Sequence, residues 1–177
     1  MSINMELMRK KLAALRGEGT KDSTSVWFKP DEGDTDIRIV PTNDGDPLKE
    51  MFFHYNVGEH KGGVLCPKRN YGEECPICEF ASSLWREGVD NNDDESKKLA
   101  KSLFVRTRYF SPVVVRGREE EGIKVYGYGK QAYELLLGYI LDPEYGDITD
   151  SKEGTDITLT YTKPNKPGAY PQTSLKM

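Results

Sequence analysis

A chain of 177 residues with 36% hydrophobic and 31% charged residues is one ordinary domain's worth of polypeptide, long enough to bury a core without covalent staples. No apolar run approaches the roughly 20 residues of a membrane span, and the opening MSINMELMRKKL lacks the apolar stretch of a secretory signal, so the three cysteines are expected as reduced thiols and not as disulfides. The formal net charge of −4 taken alone argues against a polyanionic partner, but the charge lies in blocks: acid in DEGDTD (31–36), DNNDDE (90–95) and from Asp142 to Asp156, base in MRKKLAALR and from Lys97 to Lys130. A local field matters more to a polyanion than the sum.

In chain order, Met5, Met8, Leu12 and Leu15 behind Ser2 have helical spacing, with Gly17 and Gly19 as the stop. Arg9, Lys10, Lys11 and Arg16 make that segment basic, and the Gly, Ser and Thr of GEGTKDSTS after it form a joint, so the helix need not pack on its own domain. Strand patterns follow at 25–28, 36–41 (alternating Ile37 and Ile39) and 49–57, each bounded by Gly, Pro or Asp, and short strands separated by turns point to a barrel or sandwich. A helix opens at Pro76, with Ile77, Phe80, Ala81 and Leu84 as its apolar face and Gly88 beyond its end. After an acidic loop, 102–115 and 122–129 flank RGREEE as a long hairpin; 130–141 is a helix, 155–162 a last strand, and the proline-bearing tail from Lys163 irregular. Trp27 and Trp85 are expected in the core.

All the cysteines fall in CPKRNYGEECPICEF, 66–80. Cys75-Pro-Ile-Cys78 puts two thiolates at a helix start, where backbone N–H groups favour negative sulfur, a shape that suits zinc or dithiol redox chemistry. Dithiol folds place the motif after the first strand of a βαβ unit, whereas here several strands precede it and Cys66 adds a third sulfur. The two histidines, His54 and His60, stand just upstream, and either completes a Cys3His tetrahedron; His54, on a strand, would be held more rigidly than His60 in GEHKGG. The expectation is one structural zinc on His54, Cys66, Cys75 and Cys78. No nucleophile and base pair is convincing, so no catalytic residue is assigned.

Cations and rings interleave in VRTRYFSPVVV and KVYGYGK. Alternate strand residues share a face, so Arg106, Arg108 and Phe110 line one side and Tyr109 the other, while Tyr126, Tyr128 and Lys130, with Lys124, form a second row. Lys68, Arg69 and Tyr71 repeat the combination inside the cysteine loop. The pattern is that of a groove where phosphates meet Lys and Arg while bases stack on rings, which accepts a single strand of DNA or of RNA with little sequence preference. A zinc-stabilised protein-interaction module with the tyrosines as its interface is the competing reading, and half-buried sheet tyrosines are the bland one.

The order of these features, a basic N-terminal helix, DIRIVP, a His, C-x8-C-P-x-C with Tyr71 between, then VRTRYF and KVYGYGK, resembles the single-stranded-DNA-binding proteins of T4-like bacteriophages over about the whole chain. The resemblance implies an OB-type β-barrel core over 20–177 with a zinc subdomain at about 54–88 beside the DNA cleft, and an N-terminal segment, 1–19, that links neighbouring molecules along DNA. By it, His54, Cys66, Cys75 and Cys78 match zinc ligands, and Tyr71, Arg106, Arg108, Tyr109, Phe110, Tyr126 and Tyr128 match cleft positions. It further implies a non-enzymatic protein that coats displaced strands in replication, recombination and repair, in the cytoplasm of an infected bacterium, alongside phage replication and recombination proteins. Two features depart from the family: Arg9, Lys10 and Lys11 lead into Leu12 and Ala13 where relatives carry hydroxyl residues, and the sequence closes on Ser174-Leu175-Lys176-Met177 where relatives carry an acidic tail.

Overall fold

The computed structural model describes Met5, Arg9, Leu12 and residues 26–59, 62–164 and 172–177. Within these, the elements run β1 (Trp27–Phe28), β2 (Gly33–Ile39), β3 (Lys49–His54), β4 (Val64–Leu65), α1 (Pro67–Tyr71), α2 (Pro76–Asp90), α3 (Asp94–Leu103), β5 (Arg106–Val115), a 3-10 turn (Glu119–Glu121), β6 (Lys124–Tyr128), α4 (Lys130–Leu141), β7 (Ile157–Thr162) and β8 (Gln172–Lys176). Met5, Arg9 and Leu12 are helical and exposed; the rest of the basic N-terminal segment, with Lys10, Lys11 and Arg16, lies outside the described residues.

The sheet is organised by β5. Its residues alternate between outward and buried positions over the whole RTRYFSPVVV stretch, the period of a strand with one face on the core. One of its edges carries β3 opposite 106–110 and then β2 opposite 113–115, while its other edge pairs with β6. From there β2 continues to β7 and β8, and β6 to the short β1. No pairing among the described residues joins β8 back to β1, so the architecture is an open, mixed, sheet-dominated fold with helices, and the expected OB-type barrel is not closed by backbone hydrogen bonds. The core fills the inner face with Ile37, Ile39, Val113, Val115, Ile157 and Leu159, and α4 covers it through Ala132 and Leu136.

Several elements differ from the sequence expectation: β4 and α1 have no counterpart in it, and α2 runs through Gly88, expected beyond its end, to Asp90. Residues 94–103 form a helix, and the strand begins at Arg106, not at Ser102. The reason is local: the Asp93 side chain accepts hydrogen bonds from the backbone N–H groups of Glu95 (3.0 Å) and Ser96 (3.3 Å), and Asp94 and Glu95 occupy the first turn. The run of acid that looks like a solvated loop is a helix start. The tail is not wholly irregular either, because β8 pairs with β7 from Gln172 to Lys176. QTSLK buries one side chain, Leu175, too little alternation to announce a strand.

Candidate metal centre and nucleic-acid interface

The cysteine cluster is built where β3, α1, α2 and α3 meet. His54 ends β3 and is fully buried, as are Cys66 and Cys75, while Cys78 is half-buried. Cys66 is the N-cap of α1, its sulfur accepting from the Arg69 backbone N–H at 3.4 Å, and Cys75 is the N-cap of α2, one residue before Pro76. Asn70 fastens α1 to the sheet: its amide donates to the carbonyls of Phe52 (2.7 Å) and Cys66 (2.8 Å), and its Oδ1 accepts from the Phe52 N–H at 3.1 Å. Asn70 therefore acts as a strand neighbour for β3 at the point where the chain turns toward the ligands.

The four ligand atoms lie within 4.8 Å of one another. The Sγ atoms of Cys66 and Cys78 are 3.5 Å apart, and Nε2 of His54 stands 3.4 Å from Cys75 Sγ and 3.5 Å from Cys78 Sγ. A tetrahedral site with metal–sulfur bonds of about 2.3 Å and metal–nitrogen bonds of about 2.0–2.1 Å has ligand–ligand edges of about 3.6–3.8 Å, so these residues fit one ion with little movement. The histidine is already oriented: Nδ1 lies 2.7 Å from the Leu103 carbonyl at the end of α3, to which it donates, leaving Nε2 as the lone pair that faces the sulfurs. Burial opposes charge on Cys75, but the Cys78 backbone N–H and the neighbouring side chains bring its thiol down to about 7. Burial and the adjacent sulfurs push Cys78 up to about 12. Three thiolates cannot share this volume unless a cation neutralises them. The alternative ligand His60 lies outside the described residues.

The outward face of the sheet carries the second constellation. Arg106 and Arg108 are exposed and Phe110 is half-buried on one face of β5, opposite Phe53, Met51 and Lys49 of β3 respectively. Phe110 lies at the centre of a row of rings, with Trp27 at 5.6 Å and Phe53 at 6.0 Å, both edge to face. Phe53 is followed by Tyr55 at 6.2 Å, and the Arg108 guanidinium sits 6.0 Å from the Tyr55 ring centre. Gly127 makes room for Phe110, since a Cβ there would stand 3.0 Å from the ring. Trp27 is 54% exposed, which corrects its assignment to the core.

Other expected contacts fall elsewhere. Tyr109, Tyr126 and Tyr128 are at most 7% exposed and belong to the core, so the second row on β6 does not face outward. Tyr109 stacks on Tyr133 of α4 at 3.9 Å, and the Tyr128 hydroxyl bonds Ser111 Oγ at 2.6 Å. Desolvation pushes Tyr126 up to about 12. Lys124 is also buried, 3.2 Å from Glu121, while Lys130 is exposed and paired with Glu134 at 3.3 Å. Lys68, Arg69 and Tyr71 are exposed on α1; the Arg69 guanidinium lies 4.5 Å over the Phe52 ring. Lys68 and Arg69 line a cavity of about 360 Å³ with Phe52, Phe104, His54 and Cys78, placing a basic edge against the Cys3His cluster. Phe53 and Tyr55 were legible in principle, because KEMFFHYNV alternates and puts Phe53 with Met51 on the face opposite Phe52.

A face of rings and guanidinium groups beside a Cys3His cluster is the equipment of a nucleic-acid-binding protein. Residues 31–174 match the family described as gp32 DNA binding protein like, and the chain belongs to that family; binding of single-stranded DNA is the activity this membership supports. No curated protein matches the sequence.

Proposed function

We propose that this protein coats single-stranded DNA with little regard to sequence, holding it on the outward face formed by β1, β6, β5 and β3. The observation that carries the reading is the row Trp27, Phe110, Phe53 and Tyr55 with Arg106 and Arg108 between and beside its rings. Rings accept any base face and guanidinium groups follow the phosphates, so affinity arises without reading base identity. Lys68, Arg69 and Tyr71 extend the path across the metal-bearing subdomain. Tyr109, Tyr126 and Tyr128 support this face from within the core.

On this reading the metal is one zinc ion, for which three thiolates and an imidazole in a closed tetrahedral set are the matching donors, and its role is structural. It would join the ends of β3 and α3 to α1 and α2. The sheet is an OB-type barrel whose seam is bridged by side chains, as by the hydrogen bond between Tyr126 of β6 and Thr173 of β8. Arg9, Lys10, Lys11 and Arg16 would contact the neighbouring copy along the strand. The protein acts without catalysis in phage replication, recombination and repair, in the host cytoplasm beside the phage proteins of those processes. Titration of the intrinsic fluorescence with poly-dT and with duplex, at low and moderate salt, tests it. Quenching by the single strand alone is expected from Trp27 and Tyr55, and equal response to both polymers overturns it.

A further inference from the structure

The outer side of α4 carries a groove that the folding of this chain does not explain. It has a volume of about 720 Å³ and is lined by Gln131, Glu134, Leu135, Gly138, Asp142 and Tyr145. Leu135 is 46% exposed, and Leu141 and Tyr145 stand out beside it; Tyr145 is braced edge to face on Tyr139 at 5.6 Å. Gly138 is the floor. Glycine is unfavourable inside a helix relative to alanine, and the fold has no need of it here, since the residue is exposed and an added Cβ would meet nothing within 4 Å. A bare position between Leu135 and Leu141 is what a second helix needs to come close, because a side chain of that helix fills the place the glycine leaves empty.

Charge selects the occupant. From Lys130 to Asp150 the chain has one lysine against Glu134, Asp142, Glu144, Asp147 and Asp150, and that lysine is taken up by Glu134 at 3.3 Å. An apolar trough with an acidic rim fits a helix that is apolar on one side and basic on the other. This chain owns such a segment: Met5, Met8, Leu12 and Leu15 recur at helical spacing among Arg9, Lys10, Lys11 and Arg16. Met5, Arg9 and Leu12 are helical, and Met5 is 62% and Leu12 47% exposed, so these apolar side chains are not spent on the chain's own core. The spacing matches too. Met5 and Leu12 are seven residues apart, as are Leu135 and Asp142, which sets both pairs about 10 Å apart along their helix axes. A further apolar groove, of about 400 Å³ between Phe80 and Leu99, is a poorer match, since the helix that bears Leu99 also bears Lys97, Lys98 and Lys101.

We infer that α4 receives the N-terminal segment of a second copy: Met5 and Leu12 seat on Leu135 and Tyr145 about Gly138, and the segment's cations meet Asp142, Glu144 and Asp147. The inference rests on the self-association proposed above and adds to it the receiving surface. α4 covers the inner face of the sheet through Ala132 and Leu136, whereas the ring row lies on the outward face, so a docked segment leaves the proposed DNA path open. Residues 17–25, between the segment and β1, bridge up to about 30 Å when extended, enough to cross to a copy bound alongside. A contact between two unlike surfaces is heterologous and repeats from copy to copy along a linear template.

The test places the photo-crosslinking residue p-benzoylphenylalanine at Leu12 of the full chain and irradiates an equal mixture of light and heavy-isotope-labelled protein on poly-dT. Mass spectrometry should find Leu12 joined to a peptide within 131–145, with light chains paired to heavy ones. Gly138→Leu is the second arm. It fills the groove and suits the helix better than glycine, so its thermal midpoint should equal or exceed the parent's and its affinity for a one-site oligonucleotide should match. The gain in affinity on poly-dT over that oligonucleotide should fall by about tenfold or more. Crosslinks between chains that map elsewhere, the groove at Phe80 and Leu99 included, or a parental gain in Gly138→Leu overturn this docking site although self-association stands. If every crosslink lies within one chain, or the parent shows no gain on poly-dT, self-association and the groove fall together, while binding of the one-site oligonucleotide still judges the single-strand reading by itself.

Discussion

Arg108 and Phe110 stand two residues apart on one face of β5, yet they would hold a strand by different forces. Arg108 on a phosphate acts by releasing a counterion, so Arg108→Ala should weaken binding to every sequence and flatten the slope of log K against log salt by about 0.7. Phe110→Ala and Trp27→Ala should lower affinity by roughly 1–3 kcal/mol per stacked base at every salt concentration and leave the slope intact. Salt titrations of the three variants decide this, and parental binding by both ring variants would show that the rings only pack on the sheet. Gly127→Ala is a finer probe, since its methyl would press on Phe110; it should weaken binding while thermal unfolding stays close to the parent. At this scale β5 was legible because ten residues alternate without interruption. β6 was not: in KVYGYGK the lysine and both tyrosines fall on the same parity, and a lysine biases the reader toward solvent. The structure buries that whole parity, compensating Lys124 with Glu121. What decided the face was the pairing of Tyr109 with Tyr128 across the hairpin, information held in another segment.

Individual elements depend on a few ionic and capping contacts. Asp156, just before β7, accepts from Arg116 of the β5 turn at 2.9 and 3.0 Å and from Arg38 of β2 at 2.6 Å. Arg116 first, and then Arg38 against the opposing effect of burial, holds the Asp156 carboxyl below the usual carboxylate range. A carboxylate with a lowered folded-state pKa contributes stability that is present above its unfolded value, near pH 4, and is lost as pH falls through the lower folded value. Urea midpoints measured across about pH 2–5 should therefore fall less steeply for Asp156→Asn than for the parent. The helix α3 has its own weak point in Asp93. Asp93→Ala should fray the first turn, and because Leu103 at the other end holds His54, metal should be lost to a chelator faster than from the parent. Helix boundaries of this kind escape a reading that treats acid as loop, since the cap is visible only once the Asp93 side chain is seen over the N–H groups of residues 95 and 96.

For the molecule as a whole, the Cys3His cluster and the sheet core share no residue. The cluster's residues span His54 to Cys78 and involve β3 and the helices α1 to α3, whereas the core cluster of Ile37, Ile39, Val113, Ile157 and Leu159 contains none of them. Chelation, or Cys78→Ser, should release the ion and melt the helices around it while near-ultraviolet signals from the sheet persist; simultaneous loss of both would show that the ion holds the entire fold. The cluster was the most legible feature, because soft ligands crowded into a short segment leave few geometries, while the openness of the sheet was not, since closure depends on how far each strand runs past its neighbour. That topology also orders the birth of the protein. The metal ligands are 24 residues apart at most, but β2 pairs with β7 across a separation of 126 residues. On a ribosome the unit that carries the Cys3His cluster has all its parts long before β7 exists, so Ile37 and Ile39 must wait, half of their neighbours unmade, until nearly the whole chain has emerged. Synthesis in zinc-rich medium should yield a protease-resistant fragment around residues 54–103 from chains arrested before Asp156, and the remainder of such chains should depend on chaperones until release.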